Sequence, residues 1–287
     1  MTDSRQLGMR ICRRESVRRQ LAKDEIRKEP TMIRMGLMIL LLPLLAALPA
    51  RAAPADSLTQ AEIDRIVREI DQLYRSQSSY SELEMEIVTP HWQRTLTMKA
   101  WSQGTDKTFI RITSPDKEKG VATLRIKNEM WNYLPKTNKV IKIPPSMMMS
   151  SWMGSDFTND DLVKEFSLFK DFTYQWLPSP PGSEDTIFIK CIPRPNLPVV
   201  WGSIETAVRK EDHIPVWQKY YDEKGKLMRT LSYSEIREFG HRTIPATMEM
   251  VPQNKEGHKT VIRYLEIEFD RKVGDEVFSL RNLRASE

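Results

Sequence analysis

The sequence predicts a mainly β (α+β) protein, a curved antiparallel sheet with a helical plug or lid. Three observations predict it. Apolar and polar residues alternate along many short segments from Tyr80 onward, and turn residues punctuate those segments. The helices that a parallel α/β fold would need between its strands are missing.

In chain order, the first recognisable segment is a leader. Ile33-Arg34-Met35 leads into the apolar run Gly36–Leu48, and Pro49-Ala50-Arg51-Ala52-Ala53 follows. A basic start, a short apolar run and an A-x-A site are the layout of a secretory signal peptide, with cleavage expected after Ala52 and delivery to the periplasm. The alternative, an uncleaved anchor with a basic tail, is disfavoured. The run of 13 residues, interrupted by Pro43, falls short of the roughly 20 apolar residues of a spanning helix. Residues 1–31 are polar and arginine-dense without apolar periodicity, so they read as a disordered, over-extended start, with translation beginning at Met32 or Met35. Residues 32–52 are then the signal peptide and 53–287 a single domain. No cysteine immediately follows the cleavage site, so no lipid anchor is expected.

Removing the leader changes the electrostatics. Residues 1–52 hold 11 of the 44 Lys+Arg and 5 of the 39 Asp+Glu, which leaves 33 basic against 34 acidic side chains and a net charge of −1. Nucleic acid is therefore not an expected partner, because the domain lacks the positive excess that neutralises phosphates. Cys12 leaves with the leader, and Cys191, within Ile187-Phe188-Ile189-Lys190-Cys191-Ile192, reads as a small buried hydrophobe.

Ile63, Ile66, Val67, Ile70, Leu73 and Tyr74 form one stripe of a helix, and Thr59 with Glu62 forms a capping box in front of it. The period then switches to two. Leu83, Met85 and Ile87 alternate with glutamates; Leu96, Met98 and Ala100 alternate with Thr95, Thr97 and Lys99; Ala122, Leu124 and Ile126 alternate with Thr123, Arg125 and Lys127. Phe172-x-Tyr174-x-Trp176, the run Ile244 to Met250 and the run Val261 to Phe269 continue the pattern. The long break lies between Pro144 and Lys170 and contains a helix-like stretch, Asn159 to Phe166. A long sheet with one apolar face and so few helices to cover it is expected to curl around them.

Catalytic motifs are lacking. His91, His213, His241 and His258 are scattered without metal-ligand spacing, and no nucleophile elbow or phosphate loop is present, so neither a metal site, a cofactor nor an enzyme is expected. Asp160 and Asp161 read first as residues at the electropositive start of a short helix capped by Thr158 or Asn159. The notable stretch is Pro144-Pro145-Ser146-Met147-Met148-Met149-Ser150-Ser151-Trp152-Met153-Gly154-Ser155-Asp156-Phe157. Unbranched thioethers make either adaptable ligand-binding surface or core filler.

At this stretch the sequence is similar to a known family. Leu124 to Val140, containing Trp131-Asn132-Tyr133-Leu134-Pro135-Lys136, followed by Ser155-Asp156-Phe157-x-x-x-Asp161-Leu162, resembles the outer-membrane lipoprotein-sorting proteins, the LolA-like group. Trp201-Gly202-Ser203-Ile204-Glu205, Tyr220-Tyr221-Asp222-Glu223-Lys224-Gly225 and Val277-Phe278-Ser279-Leu280-Arg281-Asn282-Leu283 extend the resemblance over residues 60–284. It implies an unclosed β-barrel wrapped around helices, with an apolar cavity that carries acyl chains through the periplasm. The cavity and lid residues it points to are Met147, Met148, Met149, Trp152, Met153, Phe157, Leu162 and Phe166, with Leu96, Met98, Leu124 and Ile126 on the sheet. Ser155, Asp156 and Asp161 are the lid motif. The resemblance also implies an arginine on the sheet that latches the lid, for which Arg111 and Arg125 are candidates.

The function expected from this combination is a carrier. It shelters a lipoprotein's acyl chains, or a free lipid, and hands them from an inner-membrane exporter of the resistance-nodulation-division or ABC type to an outer-membrane acceptor. The alternative is a periplasmic sensor of lipid or lipoprotein that signals through a membrane partner.

Overall fold

The computed structural model describes residues 58–163, 167–197 and 199–285. The leader, its cleavage site and Phe166 lie outside them. Helix α1 (Gln60–Gln72) starts at the expected capping box: the Thr59 N–H donates to the Glu62 carboxylate at 2.8 Å, and the Glu62 N–H donates to the Thr59 hydroxyl at 3.3 Å. Ile63, Ile66 and Val67 are buried along its apolar stripe.

Thirteen strands follow: β1 (Ser78–Val88), β2 (Gln93–Gln103), β3 (Lys107–Ser114), β4 (Ala122–Ile126), β5 (Glu129–Leu134), β6 (Lys139–Lys142), β7 (Phe172–Leu177), β8 (Thr186–Pro193), β9 (Ser203–Arg209), β10 (Pro215–Tyr221), β11 (Leu227–Phe239), β12 (Arg242–Pro252) and β13 (Lys259–Phe269). They form one curved antiparallel sheet in the order β6-β5-β4-β3-β2-β1-β13-β12-β11-β10-β9-β8-β7. The sheet is not closed, and its two edges are β6 and β7, which are consecutive in sequence. The chain between them therefore has to travel from one edge of the sheet to the other.

Register fixes which side chains share a face. One row runs Ile87, Thr260, Met250, Leu231, Gln218, Thr206, Ile189 and Trp176 across eight strands. A neighbouring row sets Met85 beside Leu96 and Ile262. This inner face packs against α1 over its β7–β12 half, where Ile63, Ile66 and Val67 meet Ile187, Ile189, Cys191, Ile204 and Val208.

The outer face has an apolar group on β8–β10, where Phe188, Ala207 and Trp217 are cross-strand partners, and a larger one on β1–β5. Tyr80, Trp101, Phe109, Leu124 and Trp131 are successive cross-strand partners. Phe278, in the 3₁₀ turn Asp275–Phe278, and Leu283 of helix α4 (Leu280–Arg284) cover them. This corrects the expectation that Leu124 and Ile126 line the inner cavity. Both pack in the cluster under the C-terminal segment, and the inner-face residues of β4 are the polar Thr123 and Arg125. Alternation places residues on one face of a strand, but it cannot say which face is inner when both are covered.

Cys191 is 1% exposed, and burial pushes its thiol up to about 12. Protein made from residue 53 onward, in which Cys191 is the cysteine present, is expected to leave an aromatic disulfide reagent unreacted at pH 8, with one thiol per chain released once urea unfolds it. Stoichiometric labelling of the native protein would contradict the packing of β8 under α1.

Candidate functional site

The segment that links β6 to β7 crosses the inner face and is held there residue by residue. Pro144-Pro145 opens a 3₁₀ turn (Pro145–Met147), and the chain then doubles back between Ser151 and Thr158, which pair as an isolated bridge. The Trp152 N–H donates to the Phe157 carbonyl at 2.8 Å. Met153 and Gly154 take positive φ values of 52° and 77° to make the reversal. A Cβ at Gly154 would add strain there and come within 3.3 Å of the Arg94 guanidinium. Ser155, 1% exposed, braces the turn: its hydroxyl donates to the Trp152 carbonyl at 2.7 Å and accepts from the Phe157 N–H at 3.2 Å.

Four strands hold the segment through polar contacts. From β2, Arg94 donates to the Met153 carbonyl, and it pairs with Glu118 at 3.3 Å. On β4, Thr123 accepts the Trp152 indole N–H at 3.1 Å. On β13, the Thr260 hydroxyl accepts from the Asp156 N–H at 2.9 Å and donates to the Asp156 carboxylate at 2.8 Å. On β11, Arg229 grips Asp161 with two hydrogen bonds, 2.8 and 2.7 Å long.

The last contact is the most built. Helix α2 (Asn159–Val163) is capped by Thr158, whose hydroxyl accepts from the Asp161 N–H at 3.1 Å. The Asp161 carboxylate accepts back from the Thr158 N–H at 2.8 Å. The same carboxylate receives the Arg229 fork, a geometry that suits a planar guanidinium. Arg229 lies against two aromatic rings that meet edge-on, 4.4 Å from the Trp201 centroid and 4.5 Å from that of Tyr220. Burial works against a charge on Asp161, but the Arg229 hydrogen bonds and charge outweigh it and hold the carboxyl below the usual aspartate range.

Beneath these contacts the segment is apolar. Met148, Trp152, Met153, Phe157 and Leu162 pack on Met85, Ile87, Leu96, Met98, Ile110, Ile112 and Met130. Phe157 also touches the cluster under α1, so it joins the two halves of the interior. Met147 and Met149 point the other way, at 48% and 50% exposure. The three consecutive methionines thus divide between core and rim.

Arg111 and Arg125 are not where a latch is needed. Arg111 lies on the outer face and donates to the carbonyls of Asn282, at 2.7 Å, and Ala285, so it holds the end of α4. Arg125 donates to the Thr105 carbonyl at 2.7 Å and the Thr108 hydroxyl at 3.3 Å, so it braces the turn between β2 and β3. The arginine on the lid motif is Arg229, which sequence reasoning missed. Its signal was a cation in the apolar register Arg229-x-Leu231-x-Tyr233. Trp201, which packs on Arg229, belongs to the stretch Trp201-Gly202-Ser203-Ile204-Glu205 that carries part of the family resemblance.

A cavity lies on the α1 side. Ile70, Leu73 and Tyr74, with Leu168 of α3 (Leu168–Asp171), face Ile204, Gln218, Tyr220 and Tyr233 of the sheet around a cavity of about 190 Å³. Ligand pockets usually measure roughly 300–1,000 Å³. Among the described residues, no group of three His, Cys, Asp or Glu side chains is placed to hold a metal.

An unclosed antiparallel barrel, apolar within and crossed by a strapped segment, defines the class of protein. Residues 104–285 match a family model described as uncharacterized-protein-like, more than half of the chain, and the chain belongs to that family. A comparison with curated proteins finds no match. Among solved structures, it is similar to a DUF1329 family protein from Desulfovibrio piger, with 23% identity, a TM-score of 0.69, and coverage of 78% of this chain and 98% of that one. A structure from Vibrio parahaemolyticus described as an outer membrane lipoprotein-sorting protein domain gives 20% identity, a TM-score of 0.64 and coverage of 78% and 97%. A LolA superfamily protein from Nitrosomonas europaea gives 19%, 0.63, and 76% and 97%. The fold is that of the LolA-like open barrels.

Removing one partner from a buried ion pair costs about 3–5 kcal/mol, because the other charge stays buried. Asp161→Asn and Arg229→Met are each expected to lose that much in urea unfolding at pH 7. The folded carboxyl titrates below its unfolded value of 3.8, so its contribution is complete above that value and disappears as pH falls through the lower, folded one. The gap between wild type and Asp161→Asn should therefore be constant at neutral pH and narrow below about pH 4. A pH-independent gap would rule out the charged pair as its source.

Proposed function

We propose that this protein is a non-enzymatic periplasmic carrier that shelters acyl chains between the inner face of the sheet and the segment crossing it. The observation that carries the reading is the Asp161–Arg229 fork, which straps an apolar cover over an apolar sheet at a point where it can be undone. The likeness to lipoprotein-sorting and LolA superfamily folds supports it, as does the signal-peptide pattern ahead of Ala53.

The energetics require a moving part. Each buried CH₂ contributes about 0.8 kcal/mol, so a 16-carbon chain is held by about 12 kcal/mol, too much for quick unaided release. A cavity of about 190 Å³ also has to enlarge before a whole chain fits. Displacing α2 and the Trp152–Phe157 turn would open the Met85–Ile112 half of the face, with exposed Met147 and Met149 at its mouth. In this reading Arg229 is the latch, and an exporter of the resistance-nodulation-division or ABC type loads the carrier that an outer-membrane acceptor empties. The cargo is a lipoprotein or a free lipid.

Native mass spectrometry of protein purified from periplasm is expected to show a co-purified acyl lipid, and a fluorescent fatty acid should bind the stripped protein. Asp161→Asn should speed dissociation of that probe tenfold or so, the equivalent of about 1.4 kcal/mol. Absence of both bound lipid and probe binding would refute the carrier reading.

A further inference from the structure

The α1-side cavity has a floor that a purely apolar chain does not need. Gln218 and Thr206 occupy adjacent places in the row that Ile87, Met250, Leu231, Ile189 and Trp176 make apolar, and the row's other polar member, Thr260, is bonded to Asp156 of the crossing segment. Both are buried, at 6% and 1% exposure. The Gln218 carbonyl oxygen accepts from the hydroxyls of Tyr220 at 3.0 Å and Tyr233 at 2.8 Å. Its amide nitrogen donates to Thr206 over a long 3.4 Å. A primary amide has two N–H donors, so one of Gln218's has no hydrogen-bond partner among the described residues. No described group donates to either phenol oxygen. Leaving such donors and acceptors unfilled in an interior is costly, so this floor suits a ligand that brings polar atoms of its own.

The surroundings set the charge of that ligand. Asp71 stands at the cavity wall, where it accepts from the Leu168 N–H and the Ser167 hydroxyl, both at 2.8 Å, and pairs with Arg75 at 3.4 Å. Arg229, behind the Tyr220 ring, does not line the cavity and has both terminal nitrogens committed to Asp161, although its buried Nε–H has no hydrogen-bond partner among the described residues. A carboxylate placed here would lose its water, face Asp71 and find Arg229 already paired. A neutral oxygen would accept from the spare amide N–H, and an alcohol's own O–H could donate to the open lone pairs of the two phenols, whose protons are given to Gln218.

We propose that Gln218, Tyr220 and Tyr233, with Thr206 bracing the Gln218 amide from outside the cavity, form a subsite for the neutral oxygen of an esterified lipid or long-chain alcohol, selecting it over a free fatty acid. The volume of the cavity suits the polar junction of such a lipid. Its chain would run past Phe157 into the half of the interior beneath the crossing segment. The proposal rests on the carrier reading and names the chemical class of its cargo.

The test is displacement of the neutral dye N-phenyl-1-naphthylamine by methyl laurate, 1-dodecanol and laurate, using wild type, Gln218→Leu and Tyr233→Phe. An infrared spectrum of bound methyl laurate labelled with carbon-13 at the carbonyl accompanies it. In wild type, the ester and alcohol are expected to displace the dye at roughly tenfold lower concentration than laurate, the size of one hydrogen bond. Either substitution should shrink that preference severalfold and move the ester carbonyl band to higher frequency, and Gln218→Leu, which strips two buried phenols of their acceptor, should also lower the melting temperature. Tyr233→Phe serves if Gln218→Leu does not fold. Dye binding with the same ester-to-laurate ratio and the same carbonyl band in wild type and variants would overturn the subsite, its polar floor then serving only water or itself, and would leave the carrier standing. Failure of every apolar probe, dye included, would overturn both.

Discussion

The constraint on which the rest of the molecule depends is topological. β6 and β7 are neighbours in sequence but occupy opposite edges of a thirteen-stranded sheet, so the chain between them has to cross that sheet. An apolar inner face makes one route favourable, because a crossing segment that carries Met148, Trp152, Phe157 and Leu162 removes both surfaces from water at once. The cover and the connection are therefore the same piece of chain. Its contacts fall on β2, β4, β11 and β13, which spread the attachment over both halves of the sheet.

Two kinds of force act at that crossing, with different consequences. The apolar contacts are non-directional and tolerate sliding, as four methionines in the segment suit. The polar contacts set position. Trp152 reaches one threonine, Asp156 another, and Asp161 has both oxygens committed to the Arg229 fork. A buried ion pair adds little net stability compared with apolar packing, yet it penalises every arrangement that separates its charges. Such a pair defines one closed geometry without gluing it irreversibly, which is the property a releasable cover requires.

The sheet also divides labour between its faces. The C-terminal turn and α4 cover the outer aromatic row at β2–β5, and Arg111 secures their end through backbone carbonyls. On β1 and β13 the outer face carries ion pairs instead, Arg263 with Glu84 at 3.0 Å and Glu86 at 2.8 Å. The inner face thereby remains the continuous apolar surface, interrupted by Arg229 and by the Gln218 cluster.

Local chemistry was legible in the sequence. The Thr59–Glu62 capping box, the stripe Ile63-Ile66-Val67, the two-residue period of the strands and the break after Pro144 all follow from interactions among residues close in the chain. So does the capping of α2 by Thr158, since its partner Asp161 is three residues away. Tertiary structure decided what depends on residues far apart. It turned Leu124 outward under α4 and gave Arg111 to the C-terminus. It also brought Arg229 across 68 positions of sequence to Asp161 and set Gln218 and Tyr233 around a cavity closed by α1. The physical reason is that alternation records burial without direction, and a cation in an apolar register shows only that a partner is needed. Which partner it meets is settled by strand order and register.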